Sequence, residues 1–200
     1  MELIKEELFN IDNKYESCIK KTVFIHKKEI PRNNEITAAY NRLRQISFIG
    51  SQYDWLARYM WSAGIKLDLS VHEDDTVNYF LSDNVRKVRE NNDAYYVLSP
   101  LPEIPQKTDM ELVFRYYNFP LLHLTKPEME RNSIKNNFIQ LMNLTWFCHR
   151  PTQKGTPCGI CNPCLYTKNE GLGRRVPLPS LRARMHHILR KTKHLLKKNS

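Results

Sequence analysis

The chain has 200 residues, 41% hydrophobic and 10% aromatic, with six glycines, and is long enough to bury a core. Collagen-like, low-complexity and wholly disordered classes are excluded. So is a membrane span, because charges and amides interrupt every run well short of ~18 apolar residues. The net charge of +10 is uneven: up to Glu170 there are 22 bases to 21 acids, a net of +1, and the last thirty residues hold nine bases and no acid.

The start, Met1-Glu-Leu-Ile-Lys-Glu-Glu-Leu8, carries acids where a secretory leader carries bases, which points to the cytoplasm. Residues 1–21 are polar and read as a lead-in or a substitute element. Thr22–Ile25 is a β-branched and aromatic run that predicts a strand. Ile36, Ala39, Leu43 and Ile46 recur at helical spacing over Asn34–Ile46, and Gly50 ends the pattern. Ser51 and Asp54 form a capping-box pair for a second helix lined by Leu56, Met60 and Ala63, with Gly64 at its C-terminus.

Ile65–Val71 alternates apolar and polar residues, as a strand with one packed face does. Tyr95–Leu98 predicts another strand, and Pro100, Pro102 and Pro105 then impose an irregular connection. Leu112–Phe114 or Phe119–Leu122 could supply one more. Thr125 and Glu128 form a capping box around Pro127, and Ile134, Phe138, Leu141 and Met142 continue the helical period to residue 142. Helices alternating with strands predict an α/β fold.

Four of the five cysteines lie within seventeen residues, in the spacing C-x9-C-x2-C-x2-C: Cys148, Cys158, Cys161 and Cys164. Tight x2 loops bring thiolates together on one ion at about 2.3 Å, and the intervening glycine and prolines favour the necessary turns. This predicts a structural tetrahedral Zn2+ site. Its competitors are a disulfide pair, which a cytoplasmic chain does not keep, free thiols, which are seldom clustered four together by accident, and an iron–sulfur ladder, whose fourth cysteine follows closely after the third. His149 is an alternative ligand to Cys148, and Cys18 reads as a buried small residue. Four protein ligands leave no open coordination position, so this metal organises the chain and any chemistry lies elsewhere.

The run Phe119-Pro-Leu-Leu-His-Leu-Thr-Lys-Pro-Glu128, a helix, Leu144-Thr-Trp-Phe-Cys148 and Pro157-Cys-Gly-Ile-Cys-Asn-Pro-Cys164 resembles the C-terminal third of the 7-cyano-7-deazaguanine synthase family. There a P-L-x-x-L-S-K-x-E segment precedes a helix, an L-T-W-S-C strand end and a C-G-x-C-x-x-C zinc loop. Thr125 replaces the serine. The resemblance is strong over 119–171 and weaker over Gly50 to Leu81, where Val71-His-Glu-Asp-Asp75 stands at the family's acidic segment.

The resemblance implies a Rossmann-like, adenine nucleotide hydrolase-like enzyme of queuosine biosynthesis. It adenylates 7-carboxy-7-deazaguanine, a small deazapurine, with ATP and Mg2+, admits ammonia and carries the product on to a nitrile. It also makes Lys126, at a helix start, a candidate phosphate contact, with a solvated first-turn lysine as the alternative. The family's serine–glycine–glycine–x–aspartate–serine phosphate loop has no counterpart here: the first 49 residues contain no glycine. Gly50 and Ser51 are the remaining candidates for binding an anion, or form an ordinary cap. Thr167 and Lys168 stand where the family usually has an arginine. The chain is then N-terminally truncated, receives the loop from a partner polypeptide, or has lost catalysis.

Leu181, Met185, Ile188, Leu189, Leu195 and Leu196 fall close to helical spacing among the bases of the tail. Such an amphipathic helix packs its leucines on the body or a partner, holds nucleic acid through the bases of residues 174–198, or docks on an anionic membrane. The expected organisation is an incomplete nucleotide-hydrolase-like domain over 1–145, a zinc loop over 146–176 and a basic tail over 177–200, as a possible homo-oligomer or beside a partner chain.

Overall fold

The computed structural model describes residues 2–91, 93–102, 104–179 and 185. In chain order the elements are α1 (Glu2–Ile11), α2 (Lys14–Cys18), α3 (Asn34–Ile46), α4 (Gln52–Ala63), β1 (Leu67–Asp68), α5 (Asn78–Leu81), β2 (Val85–Glu90), β3 (Asp93–Leu98), α6 (Pro105–Phe114), β4 (Tyr117–Asn118), α7 (Lys126–Lys135), α8 (Ile139–Asn143) and α9 (Asn162–Thr167). They form two compact units. One is Lys21–Leu124; the other joins the N-terminal segment up to Lys20 to the chain from Thr125 onward. Among the described residues no helix is long and apolar enough to cross a membrane.

In the Lys21–Leu124 unit, α3 starts where the Asn33 side chain accepts the Ile36 N–H at 3.0 Å. It buries Ile36, Ala39, Tyr40 and Leu43, while Ile46 remains about half exposed. Across from it on α6, buried Asp109 accepts from Arg42 Nε at 2.8 Å and Nη2 at 2.6 Å. This two-pronged pairing supplies the partner that a buried carboxylate requires. It also holds the Arg42 pKa above its ordinary value, chiefly through the hydrogen bond.

The helix α4 ends at Gly64, whose φ of +64° is the left-handed conformation that glycine supplies without strain. Its start differs from expectation. Ser51 is itself in the helical region and its hydroxyl makes no cap bond. The Asp54 carboxylate instead takes Arg58 at 3.0 Å and the Thr37 hydroxyl at 2.7 Å, which removes it from any capping box. The buried stripe is Tyr53, Ala57 and Met60; Leu56 is half-buried and Ala63 exposed.

Of the seven residues expected as a strand over Ile65–Val71, only β1 is paired. It runs parallel to β4, with Leu67 N–H donating to Tyr116 O at 3.0 Å and Leu69 N–H to Asn118 O at 2.9 Å. The expected strand at Tyr95–Leu98 is the body of β3, which pairs antiparallel with β2 from Val85↔Leu98 to Glu90↔Asp93. Sequence reading missed β2, whose Val-Arg-Lys-Val-Arg-Glu pattern has two apolar residues only. Leu112–Phe114 is not a strand but the last turn of α6. Pro105 opens that helix, at the position where proline's missing N–H costs nothing. Phe119 contributes a single bridge to Tyr96.

Elements of this unit meet in an aromatic core. The Tyr53 ring stands edge-on to Phe114 at 5.6 Å and to Tyr117 at 6.0 Å, and Phe80 lies 6.2 Å from Phe114. Burial holds the Tyr53 and Tyr117 hydroxyls well above the ordinary phenol range. Thr22–Ile25 is not a strand: it joins no ladder, and Val23 and Phe24 are 75% and 85% exposed.

In the other unit, α1 buries no residue. The Thr125–Glu128 capping box forms as expected, with Thr125 N–H donating to Glu128 at 2.8 Å and the Thr125 side chain accepting from the Glu128 N–H. The Glu128 carboxyl is held below its ordinary pKa by those bonds from Thr125. The helix does not run on to Met142. Asn137 takes φ +59°, Phe138 N–H returns to Ser133 O at 2.9 Å and Asn137 N–H to Ile134 O at 3.2 Å. That is a Schellman ending with asparagine in the left-handed position, and it leaves Ile134 exposed before α8 begins. The amphipathic stripe expected over residues 181–196 lies, Met185 apart, outside the described residues.

Phe114 is fully buried between Tyr53 and Phe80. Phe114→Ala should destabilise this unit by about 3–5 kcal/mol through the cavity it leaves, read as a fall in the urea midpoint of unfolding.

Candidate metal centre

The cysteine loop begins at a segment fixed by Arg175. That guanidinium donates to Thr145 O at 2.6 Å and Asn143 O at 3.3 Å and lies over the Phe147 ring at 5.4 Å. Its own pKa is lowered, by burial first and by neighbouring Arg174 second. Trp146 Nε1 donates to Cys148 O at 2.6 Å, which orients the residue that carries the first sulfur. Downstream, Gly159 turns the chain between Cys158 and Ile160 at φ +75°, and a Cβ there would stand 2.6 Å from Pro177 O. Glycine is the residue that fits. Cys161 is the N-cap of α9, and Cys164 lies in its first turn.

Thus four distant-looking positions converge. The sulfurs of Cys148, Cys158, Cys161 and Cys164 all lie within 4.8 Å of one another. Separations are 3.8 Å for Cys148–Cys161, 3.9 Å for Cys158–Cys164 and 3.4 Å for Cys161–Cys164. A tetrahedron of sulfurs at about 2.3 Å from one ion has edges of about 3.8 Å, so the arrangement has the dimensions of a single tetrahedral ion. Several irons would spread the same sulfurs wider. All four thiols are free, which disposes of the disulfide reading. Three of the four cysteines are buried.

Backbone amides point at the sulfurs: Arg150 and Cys158 N–H each donate to Cys148 Sγ at 3.3 Å, and Cys161 N–H to Cys158 Sγ at 3.4 Å. Such bonds favour the thiolate, the form that binds metal. Burial acts the other way and dominates at Cys148, whose pKa is raised, and at Cys164, which is pushed up to about 12. At Cys161 burial is outweighed by N–H bonds from Cys164 and His149 and by the neighbouring thiols, and the pKa falls to about 7. His149 therefore serves the cluster through its backbone, and its imidazole is not among the four grouped ligands. A bound zinc would be held by the four sulfurs with no position open to substrate, so the chemistry it supplies is structural. Cys18 is exposed on α2, a correction to its reading as a buried residue.

The other singled-out residues do not join this cluster. The Lys126 ammonium, at the start of α7, pairs with the Glu170 carboxylate, both side chains being largely buried. Gly171 follows at φ +84°, where a Cβ would stand 3.1 Å from Pro127 Cγ. Lys126 thereby ties α7 to the chain beyond the cysteines. Gly50 and Ser51 belong to the Lys21–Leu124 unit, where the Gln52 side chain covers Gly50 and the Ser51 hydroxyl caps nothing. Sequence reading missed Glu170 and Arg175 as partners, because an ion pair 44 residues apart leaves no local pattern.

A mixed helix–strand chain with four converging cysteines behind a capped helix defines an α/β protein built around a candidate metal centre. The model of the family described as Queuosine biosynthesis protein QueC matches residues 7–174, most of the sequence, and the chain belongs to that family. The match takes in both stretches whose motifs resemble 7-cyano-7-deazaguanine synthase and implies a Rossmann-like fold and a small-molecule substrate. No curated protein and no solved structure matches the chain.

Cys161→Ser should abolish stoichiometric zinc and destabilise the unit that holds the loop, since metal binding and folding are coupled. Elemental analysis alongside thermal unfolding would show both losses, and full zinc content in this variant would contradict a four-sulfur site. Gly159→Ala, which forces a side chain into left-handed backbone against Pro177, should cost about 1–3 kcal/mol in the same melt.

Proposed function

We propose that this protein acts in queuosine biosynthesis as a 7-cyano-7-deazaguanine synthase-type ligase whose ATP phosphates are held by polypeptide outside these 200 residues. The reaction class is activation of the 7-carboxy-7-deazaguanine carboxylate by ATP with Mg2+, displacement of AMP by ammonia to give the amide, and dehydration onward to the nitrile. Family membership supports the pathway and the substrate class. Zinc on the four cysteines stabilises the fold and takes no part in the bond changes.

One observation supports the reading that the phosphates are held elsewhere: the chain's own candidate lysine already has a carboxylate partner. Lys126 is neutralised by Glu170, and a phosphate group would have to displace that carboxylate before using the ammonium. The Gln52 side chain fills the space beside Gly50, where a phosphate oxygen would approach the bare backbone. The first 49 residues contain no glycine whose bare backbone could close on phosphate oxygens.

Calorimetry on the zinc-loaded chain should therefore show binding of 7-carboxy-7-deazaguanine and none of ATP with Mg2+ at millimolar concentration. Tight ATP binding would overturn the outside cradle and make turnover by this chain alone the next assay. Failure to bind the deazapurine would overturn the substrate assignment.

A further inference from the structure

The last third of the sequence is nearly free of acid. Residues 131–200 hold fourteen bases and one acid, Glu170, and that carboxylate is largely buried against Lys126. The charged side chains that the described part of this stretch presents to solvent are therefore cations. Two large aromatic side chains stand out among them. Trp146 is 55% exposed and Tyr166 54%. Each lies two residues from a cysteine of the cluster, Cys148 and Cys164, so both are carried by the folded metal loop.

Trp146 is exposed yet fixed. Its Nε1 donates to Cys148 O at 2.6 Å, and its ring lies within 20° of parallel to that of Phe147, with centroids 6.4 Å apart. A ring already held in orientation, with more than half its surface bare, can stack on another planar group at little cost in side-chain entropy. Beyond Cys148 the chain runs into an exposed loop over residues 149–156, closed by Thr152 N–H on Thr156 O at 2.9 Å and Gly155 N–H on Thr152 O at 3.0 Å. Exposed Arg150 and Lys154 stand on it, and neither meets a carboxylate among the described residues. The Arg150 N–H is anchored on Cys148 Sγ at 3.3 Å, and the carbonyl of that same cysteine holds the indole. A pre-oriented ring beside unpaired cations matches a base and its phosphates. A duplex keeps its base faces inside the stack, whereas a single strand offers both groups.

We propose that this metal loop binds single-stranded nucleic acid, with an unpaired base stacked on Trp146 and backbone phosphates held by Arg150 and Lys154. The four-sulfur centre then does more than close the fold, since fixing the loop also fixes the indole. Binding of this kind needs neither ATP nor a deazapurine, so it stands apart from the ligase chemistry.

Fluorescence anisotropy of a labelled oligothymidylate of ~15 nucleotides, titrated with the full zinc-loaded chain, tests this. The expected result is binding that weakens steeply as salt rises and that quenches tryptophan emission in the native chain but not in Trp146→Phe. Trp146→Ala should weaken binding by roughly tenfold or more, and Trp146→Phe by much less. Elemental analysis of both variants separates lost stacking from lost zinc. Arg150→Gln combined with Lys154→Gln, at exposed positions whose backbone bonds are retained, should flatten the logarithmic salt slope by about 1.4, the share of two phosphates on a single strand. The same oligothymidylate in a duplex should bind more weakly. Unchanged affinity in zinc-replete Trp146→Ala, an unchanged salt slope in the double variant, or equal affinity for the duplex would overturn the proposal. So would failure to bind the strand at low salt, including the case in which phosphatidylserine vesicles are bound instead.

Discussion

Four sulfur atoms within 4.8 Å of one another form an arrangement that a protein holds for a reason. As thiols they are poor hydrogen-bond formers, and as thiolates they repel. The burial that raises Cys148 and lifts Cys164 to about 12 opposes charge, while the amides aimed at Cys148, Cys158 and Cys161 invite it. A dication resolves that conflict, because it replaces the repulsion by attraction and makes the desolvated site favourable to thiolate. The local backbone is shaped accordingly: left-handed Gly159, Cys161 capping α9, and Trp146 and Arg175 fixing the segment that delivers Cys148.

The rest of that unit is hung from the loop. Apolar Val176 packs against the cysteines, Arg175 returns to Thr145, and Glu170 reaches Lys126 at the head of α7. The two bases Arg174 and Arg175 are thus drawn into the fold by Glu130 and by carbonyl oxygens of the Asn143–Thr145 turn. Charge that composition assigns to a basic tail begins, at its first two residues, as internal structure. The same holds for Lys126. By resemblance this first-turn lysine is a candidate phosphate contact, with a solvated side chain as the alternative, and here it has a carboxylate partner already.

What sequence reading recovers is what local chemistry determines. Thr125 and Glu128 specify a capping box three residues apart, Gly64 specifies a left-handed ending, and the C-x2-C repeats specify convergent sulfurs, so all three are visible without a structure. What escapes it depends on distant partners. Ser51 fails to cap because Thr37 and Arg58 claim Asp54. Asn137 ends α7 in a conformation that few residues other than glycine and asparagine adopt readily, and apolar period alone gave no warning of it. Thr22–Ile25 has strand composition, yet a strand exists only when another backbone accepts it in a ladder, and among the described residues the segment joins none.

In open α/β sheets ligands sit at the carboxyl ends of parallel strands, and the ends of β1 and β4 here bear Asp68 and Asn118, linked by a hydrogen bond of 2.9 Å. With Glu90 and Asp93 in the same cleft, the surroundings of Asp68 are acidic and disfavour a bare phosphate. The residues that line this cleft include no glycine and no base, the groups that hold phosphate oxygens. The four sulfurs suit a structural ion, whereas the described residues at the ends of β1 and β4 offer hydrogen-bond acceptors and no phosphate cradle.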